Sequence, residues 1–303
     1  MMDPIYSRIT SNKRRTFFFF FLYAVLFAVI GYLVGIYLGE PIIGFILAAL
    51  VFIIIFLISY FGGQGVVASM AGAHEVTKQQ EPFLYNTVEG LSIAAGKPMP
   101  KVYIIESEVP NAFAAGRNPD KAIIAVTRGL INRLNRQELE GVIAHEMAHI
   151  ANYDVLLATV AVVLAGTIVF LGVIARRMIF FGGMGRSRSS KGGQGQIIAV
   201  AIMIIIGILA PIFAQLLKFA ISRQREYLAD ATAADFTGYP EGLASALEKI
   251  TDMQVPKSSI ENSALNGLYI VNPAVGIKSA NRAAVLFSTH PPAAERIKRL
   301  RAM

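Results

Sequence analysis

The sequence predicts an α-helical membrane protein with an α+β domain on the cytoplasmic side. Three observations point there. Four apolar runs, at 17–39, 41–61, 155–175 and 197–217, each match the ~20 residues that cross a hydrocarbon core. Of 303 residues, 54% are hydrophobic and only 16% charged, a balance unusual for a soluble protein. Between and after the runs lie polar stretches with helical and strand patterning, enough for one modest domain. The net charge of +8 does not indicate nucleic acid, because the basic residues cluster beside the apolar runs as juxtamembrane anchors do. With no cysteine in the chain, disulfides, thiolate metal sites and a cysteine nucleophile are excluded.

In chain order, residues 1–16 read as a cytoplasmic tail ending in Lys13, Arg14 and Arg15, and the positive-inside rule holds that end in the cytoplasm. Residues 17–61 form a transmembrane hairpin whose two spans are divided only at Glu40 and its neighbours Gly39 and Pro41. The first run is too long for a secretory signal and lacks a small-residue cleavage site. Whatever follows Phe61 is then cytoplasmic. Residues 62–153 and 221–303 supply the folded domain. In it "EPFLYNTVEGLSIAAG" and "PEGLASALEKI" carry apolar residues at helical spacing, and "KVYIIES" and "KAIIAVT" have the β-branched character of strands. Asn135 is placed to cap a helix, with Glu138 as its capping-box partner.

Residues 154–220 read as a second hydrophobic hairpin with a basic Gly/Ser-rich loop. If both its runs cross, the chain returns to the side it left. The loop residues Arg176, Arg177, Arg186, Arg188 and Lys191 then face outward, against the positive-inside rule. Two topologies stay open: four full spans, or a re-entrant second hairpin broken at Pro211. The loop lacks the pattern of a phosphate-binding loop and reads as a linker.

The helix that Asn135 starts runs through "GVIAHEMAHIANYD". His145 and His149, four apart, share a face and can offer two imidazoles to one Zn²⁺. Glu146 points roughly 100° around the axis, where it can take a proton from water held by the metal without ligating the metal itself. Three matching residues alone are a weak signal, but their neighbours Val142, Ile143, Ala144, Met147, Ala148 and Ile150 are all uncharged, so the buried histidines and glutamate need a compensating ion or partner. A catalytic zinc needs a third ligand. In "SRQREYLAD" Glu226 can be that ligand, and Asp230, one turn on, can accept the other ring N–H of a zinc histidine. The alternative for this pair is a surface helix with paired charges, given Arg223 and Arg225 nearby. His74, followed by Glu75, has no second histidine and reads as structural.

"PNAFAAGRNP", "HEMAHIANYD", "SRQREYLAD" and "STHPP", in this order after an N-terminal hairpin, resemble the HtpX-type membrane zinc metallopeptidases, relatives of the CAAX prenyl-protein endopeptidases. The resemblance covers nearly the whole chain. It implies a gluzincin-like catalytic domain with one zinc per chain on His145, His149 and Glu226, Glu146 as general base and Asp230 behind a ligand. It further implies that His290 comes near the zinc and stabilises the oxyanion. Asn111 to Gly116, including Phe113, resemble the family's strand beside the cleft, where an extended substrate adds as a strand; the plain reading is a loop and short strand of small residues. The implied activity is endopeptidase cleavage of membrane proteins in quality control at the inner membrane of a prokaryote. The alternatives are a narrow CAAX-type processing protease, or a non-catalytic polytopic scaffold or transporter component. An intact base and ligand set argue against the last, as does the lack of ionisable groups in the first three runs.

Overall fold

The computed structural model describes residues 4–184, 223–252, 270 and 291–303. The fourth apolar run and His290 lie outside the described residues. Helix α1 (Pro4–Leu38) starts well before the first apolar run, so residues 4–16, expected as a tail, are its opening turns. It turns at Gly39, whose φ of +84° suits glycine, into α2 (Pro41–Phe61). The two helices touch backbone to backbone: a Cβ on Gly44 would collide with the Gly31 carbonyl oxygen. Small residues permit this approach where lipid gives no hydrophobic drive between helices.

After α3 (Gly63–Met70) come strands β1 (Ala73–Glu75) and β2 (Lys101–Ile105), with α4 (Pro82–Ala94) between them, then β3 (Ala112–Gly116) and β4 (Ala122–Thr127). The sheet order is β1-β2-β4-β3, with β2 and β4 parallel and both edge strands antiparallel. Every residue of β4 is buried because both faces are covered. Ile124 and Val126 join a core with Leu84 and Val88 of α4, while Ile123 and Ala125 join one with Val67 of α3. The edge strand β1 was not foreseen; three residues with an exposed histidine carry too little alternation to show it.

A short α5 (Arg128–Arg133) leads into α6 (Arg136–Ala151). As expected, Asn135 and Glu138 form the capping box, at 3.0 and 2.9 Å. Glu138 then takes a hydrogen bond from Ser245 and an ion pair from Lys249 of α9 (Pro240–Thr251), each at 2.7 Å. Helix α7 (Val155–Met184) extends beyond the predicted third run. Its first turns serve two neighbours. Val162 and Val163 pack on Phe113 and Ile123 of the sheet, whereas Leu157, Val160 and Leu164 pack on Phe20, Tyr23 and Phe27 of α1. Helix α7, which begins just after residue 154, thus packs against both the sheet domain and α1. Helices α8 (Arg223–Thr237) and α10 (Ala293–Leu300) close the domain against α6 and α9. Among the described residues, three helices are long and apolar enough to cross a membrane: α1, α2 and α7.

Candidate metal centre

The centre forms where α6 meets the first turn of α8. His145 and His149 stand a turn apart on α6, their rings 4.7 Å between centroids and nearly perpendicular. From α8, Glu226 directs Oε2 to within 3.7 Å of His145 Nε2 and Oε1 to within 3.5 Å of His149 Nε2. Two ligands of a tetrahedral zinc, each about 2 Å from the ion, lie a little over 3 Å apart. The three side chains can each offer a ligand atom within 4.8 Å of the others, so the donor set fits a metal ion. Glu146 is buried beside them.

Each imidazole is held from behind. His145 Nδ1 lies 3.0 Å from Asp230 Oδ1, and His149 Nδ1 lies 3.3 Å from Asp154 Oδ2. Both contacts favour a proton on Nδ1, which leaves the Nε2 lone pair free for a metal on the side where Glu226 lies, the orientation a metal requires. Asp154 reaches His149 because the chain turns sharply after α6. Tyr153 adopts φ +59°, unusual for a bulky residue, and the Asp154 N–H returns to the His149 carbonyl at 2.9 Å.

The sequence reading missed Asp154 as a partner of the site. It also missed Arg296. This arginine lies fully buried on α10, with Nε 2.9 Å and Nη2 2.6 Å from the two oxygens of Asp230. Its Nη1 stands 3.7 Å from Glu226 Oε2. The available signals were slight: Asp154 is an acid directly before an apolar run, and Arg296 precedes the buried Leu300 by one helical turn.

The charges set the protonation states. Burial alone would hold His149 neutral, but the bond to Asp154 and the charges of Glu226 and Glu146 carry its pKa up to about 9. His145 also shifts upward: burial and Arg296 oppose the proton, and Asp230 and Glu226 outweigh them. Burial would raise Asp230, yet Arg296 and His145 bring it down to about 2.

Strand β3 packs beside α6, and Asn111 is buried with its N–H on Thr127 Oγ1 at 2.7 Å. The Phe113 ring is wholly buried on the face toward α3 and α7, so the side chain offers no surface to a substrate. What β3 can present is an edge of backbone. Its Ala112 carbonyl already accepts the Ile270 N–H at 3.2 Å. His74 sits on β1, at the opposite edge of the sheet, 3.8 Å from Glu106.

Hydrolysis is what such a donor set and carboxylate can do, and their place above apolar helices makes the class a membrane-bound metallohydrolase. Comparison with known proteins narrows the class to peptidases. Residues 78–303 match Peptidase family M48. A protease HtpX homolog of Dictyoglomus turgidum is 47% identical over 98% of this chain and 94% of its own length. One from Streptococcus gordonii is 42% identical over 99% of this chain and all of its own, and one from Listeria monocytogenes 43% over the same shares. The crystal structure of S. mikatae Ste24p aligns with a TM-score of 0.46 at 20% identity, over 83% of this chain and 57% of that one. The chain belongs to peptidase family M48, and is a membrane metalloprotease.

Proposed function

We propose that the chain is a zinc endopeptidase that cleaves membrane proteins at the cytoplasmic face of the inner membrane. In this reading one Zn²⁺ per chain is held by His145, His149 and Glu226. The observation that carries it is the pairing of both Nδ1 atoms with carboxylates, which leaves two Nε2 atoms and Glu226 facing one point. When bound, the metal supplies a Lewis acid that brings the pKa of water near 7.

The protein's own groups do the rest. Glu146 takes the proton of the attacking water and passes it to the leaving amine. Asp154 and Asp230 fix the imidazole tautomers. Arg296 balances Asp230 and Glu226, so that the buried site does not gather uncompensated negative charge. The substrate lies extended along the β3 edge, held by backbone hydrogen bonds, with His290 at the oxyanion. The anchoring of α6 to α7 sets the site near the bilayer and favours membrane proteins over soluble ones.

Cleavage of an unfolded peptide by the detergent-purified protein should stop with a chelator and return with zinc, and metal analysis should give one zinc per chain. Cleavage that persists without metal would overturn the reading. The side is tested separately in this cysteine-free chain. A cysteine at Glu40, in the turn opposite the domain, should be labelled by an impermeant thiol reagent on intact cells. Labelling only after lysis would put the domain outside.

A further inference from the structure

Asp154 has a second neighbourhood. On the side away from His149 it borders a pocket of about 180 Å³, enclosed by the opening turns of α1, the turn after α6 and the start of α8. The pocket is lined by Asn12 and Arg15 from α1, Asn152 from the turn, and Arg225 and Leu228 from α8. Its single acid is already matched. Asp154 Oδ1 accepts from Asn12 Nδ2 at 3.2 Å and lies 3.8 Å from Arg225 Nε, while Oδ2 faces His149. What remains is an excess of donors. Asn152 Nδ2 is buried with no partner among the described residues, and a buried donor left in that state is costly. The exposed guanidinium of Arg15 stands in the same wall, beside Arg225, which already faces Asp154.

We propose that this pocket binds the phosphate of an anionic phospholipid headgroup. Phosphate oxygens only accept, which suits an orphaned amide N–H and the Arg15 guanidinium, and guanidinium–phosphate bonds are among the stronger polar contacts. The level in the bilayer fits too. Arg15 immediately precedes the apolar run, where Phe17 and Phe18 are exposed to lipid, and Lys13 and Arg14 are exposed beside it. An anionic membrane surface attracts such a cluster. Leu228 supplies an apolar wall where the headgroup continues into its glycerol. Free phosphate could use the same donors but would lack the bilayer that holds a lipid in place. A bound headgroup would sit one side chain from the metal centre, because Asp154 is shared between them.

The test is a titration of the full-length protein in detergent, read by its thermal-unfolding midpoint and by native mass spectrometry. The probes are short-chain phosphatidylglycerol, short-chain phosphatidylcholine and inorganic phosphate. Phosphatidylglycerol should raise the midpoint saturably and be retained at one per chain, and phosphatidylcholine should bind more weakly. Arg15→Gln and Asn152→Leu should each weaken phosphatidylglycerol roughly tenfold, as loss of one charge-assisted or buried bond does. If Asn152→Leu does not fold, Arg15→Gln decides alone, since that side chain is exposed. Unchanged phosphatidylglycerol affinity in Arg15→Gln overturns the proposal. Inorganic phosphate binding as tightly as phosphatidylglycerol overturns it as well, by assigning the pocket to a free anion. The measurement reads binding and not cleavage, so its failure leaves the proposed peptidase activity untouched.

Discussion

Helix α2 and the α6–α8 junction invert each other. On α2, Ile42 is 73% exposed and Ile46 58%, and Ser59 is the one residue buried. At the junction His145 is 1% exposed, and Glu146, Glu226, Asp230 and Arg296 are 2% each. In a protein surrounded by water both arrangements would be costly. Each is tolerable for its own reason. The α2 side chains face lipid tails as apolar as themselves, so exposure costs them little. The junction is a closed network of opposite charges in which every acid has a cation or a ring N–H within reach. The difference teaches where the molecule should be brittle: a lipid-facing surface has no partners to lose, whereas a buried charge network loses balance with any one member.

The sharpest test of that contrast is Glu146→Gln. Peptide cleavage should fall by about 10²–10⁴-fold or more, the usual share of general acid–base catalysis. Zinc content on the same preparation should stay at the wild-type level, because Glu146 is offset from the ligands. Retained turnover would place the base elsewhere.

Next is Arg296→Met, which leaves Asp230 and Glu226 buried without their cation. Breaking a buried pair by removing one partner costs about 3–5 kcal/mol. Thermal unfolding of the metal-free protein should show a loss of that order. Adding Asp230→Asn should recover part of it, and a strictly additive double variant would mean that the two do not interact.

Asp154→Ala should weaken zinc by roughly 10–100-fold through loss of the Nδ1 anchor. The pH dependence has a definite sign. In the metal-free protein His149 holds a proton up to about pH 9, so zinc must displace it, and affinity should fall as pH drops below that value. Without Asp154 the ring loses the bond that raises its pKa and competes less for the proton. The defect should therefore be largest above pH 9 and shrink toward neutral pH in competition titrations. A pH-independent defect would mean that Asp154 does not set the His149 proton.

At the other pole, Ile46→Ala on the lipid face of α2 should change stability by no more than about 0.5 kcal/mol. A larger drop in unfolding temperature would show that a protein surface, not lipid, covers α2.

Much of this was legible in the chain because it is encoded locally. Spans follow from apolar length, the α6 start from Asn135 and Glu138, the facing of His145 and His149 from helical period, and β2 and β4 from short β-branched runs. Glu226 became readable only as the third member of a set that His145 and His149 left incomplete. Asp154 and Arg296 were not legible, because nothing near them in sequence states their partners. Asp154 serves His149 only through the left-handed turn at Tyr153. Arg296 lies far along the chain from Asp230 and meets it only when α10 packs on α8. The same holds for the opening turns of α1, whose Asn12 reaches across to Asp154, and for α7, which is apolar and long enough to span and is also a wall of the sheet domain. Sequence alone determined most of the helices, the strands β2 and β4, the apolar runs long enough to span, and which residue types could hold a metal, since period, length and capping act over a few residues. Tertiary structure decided which charges neutralise which, because ion pairing in a buried site depends on distances between helices that no local pattern records.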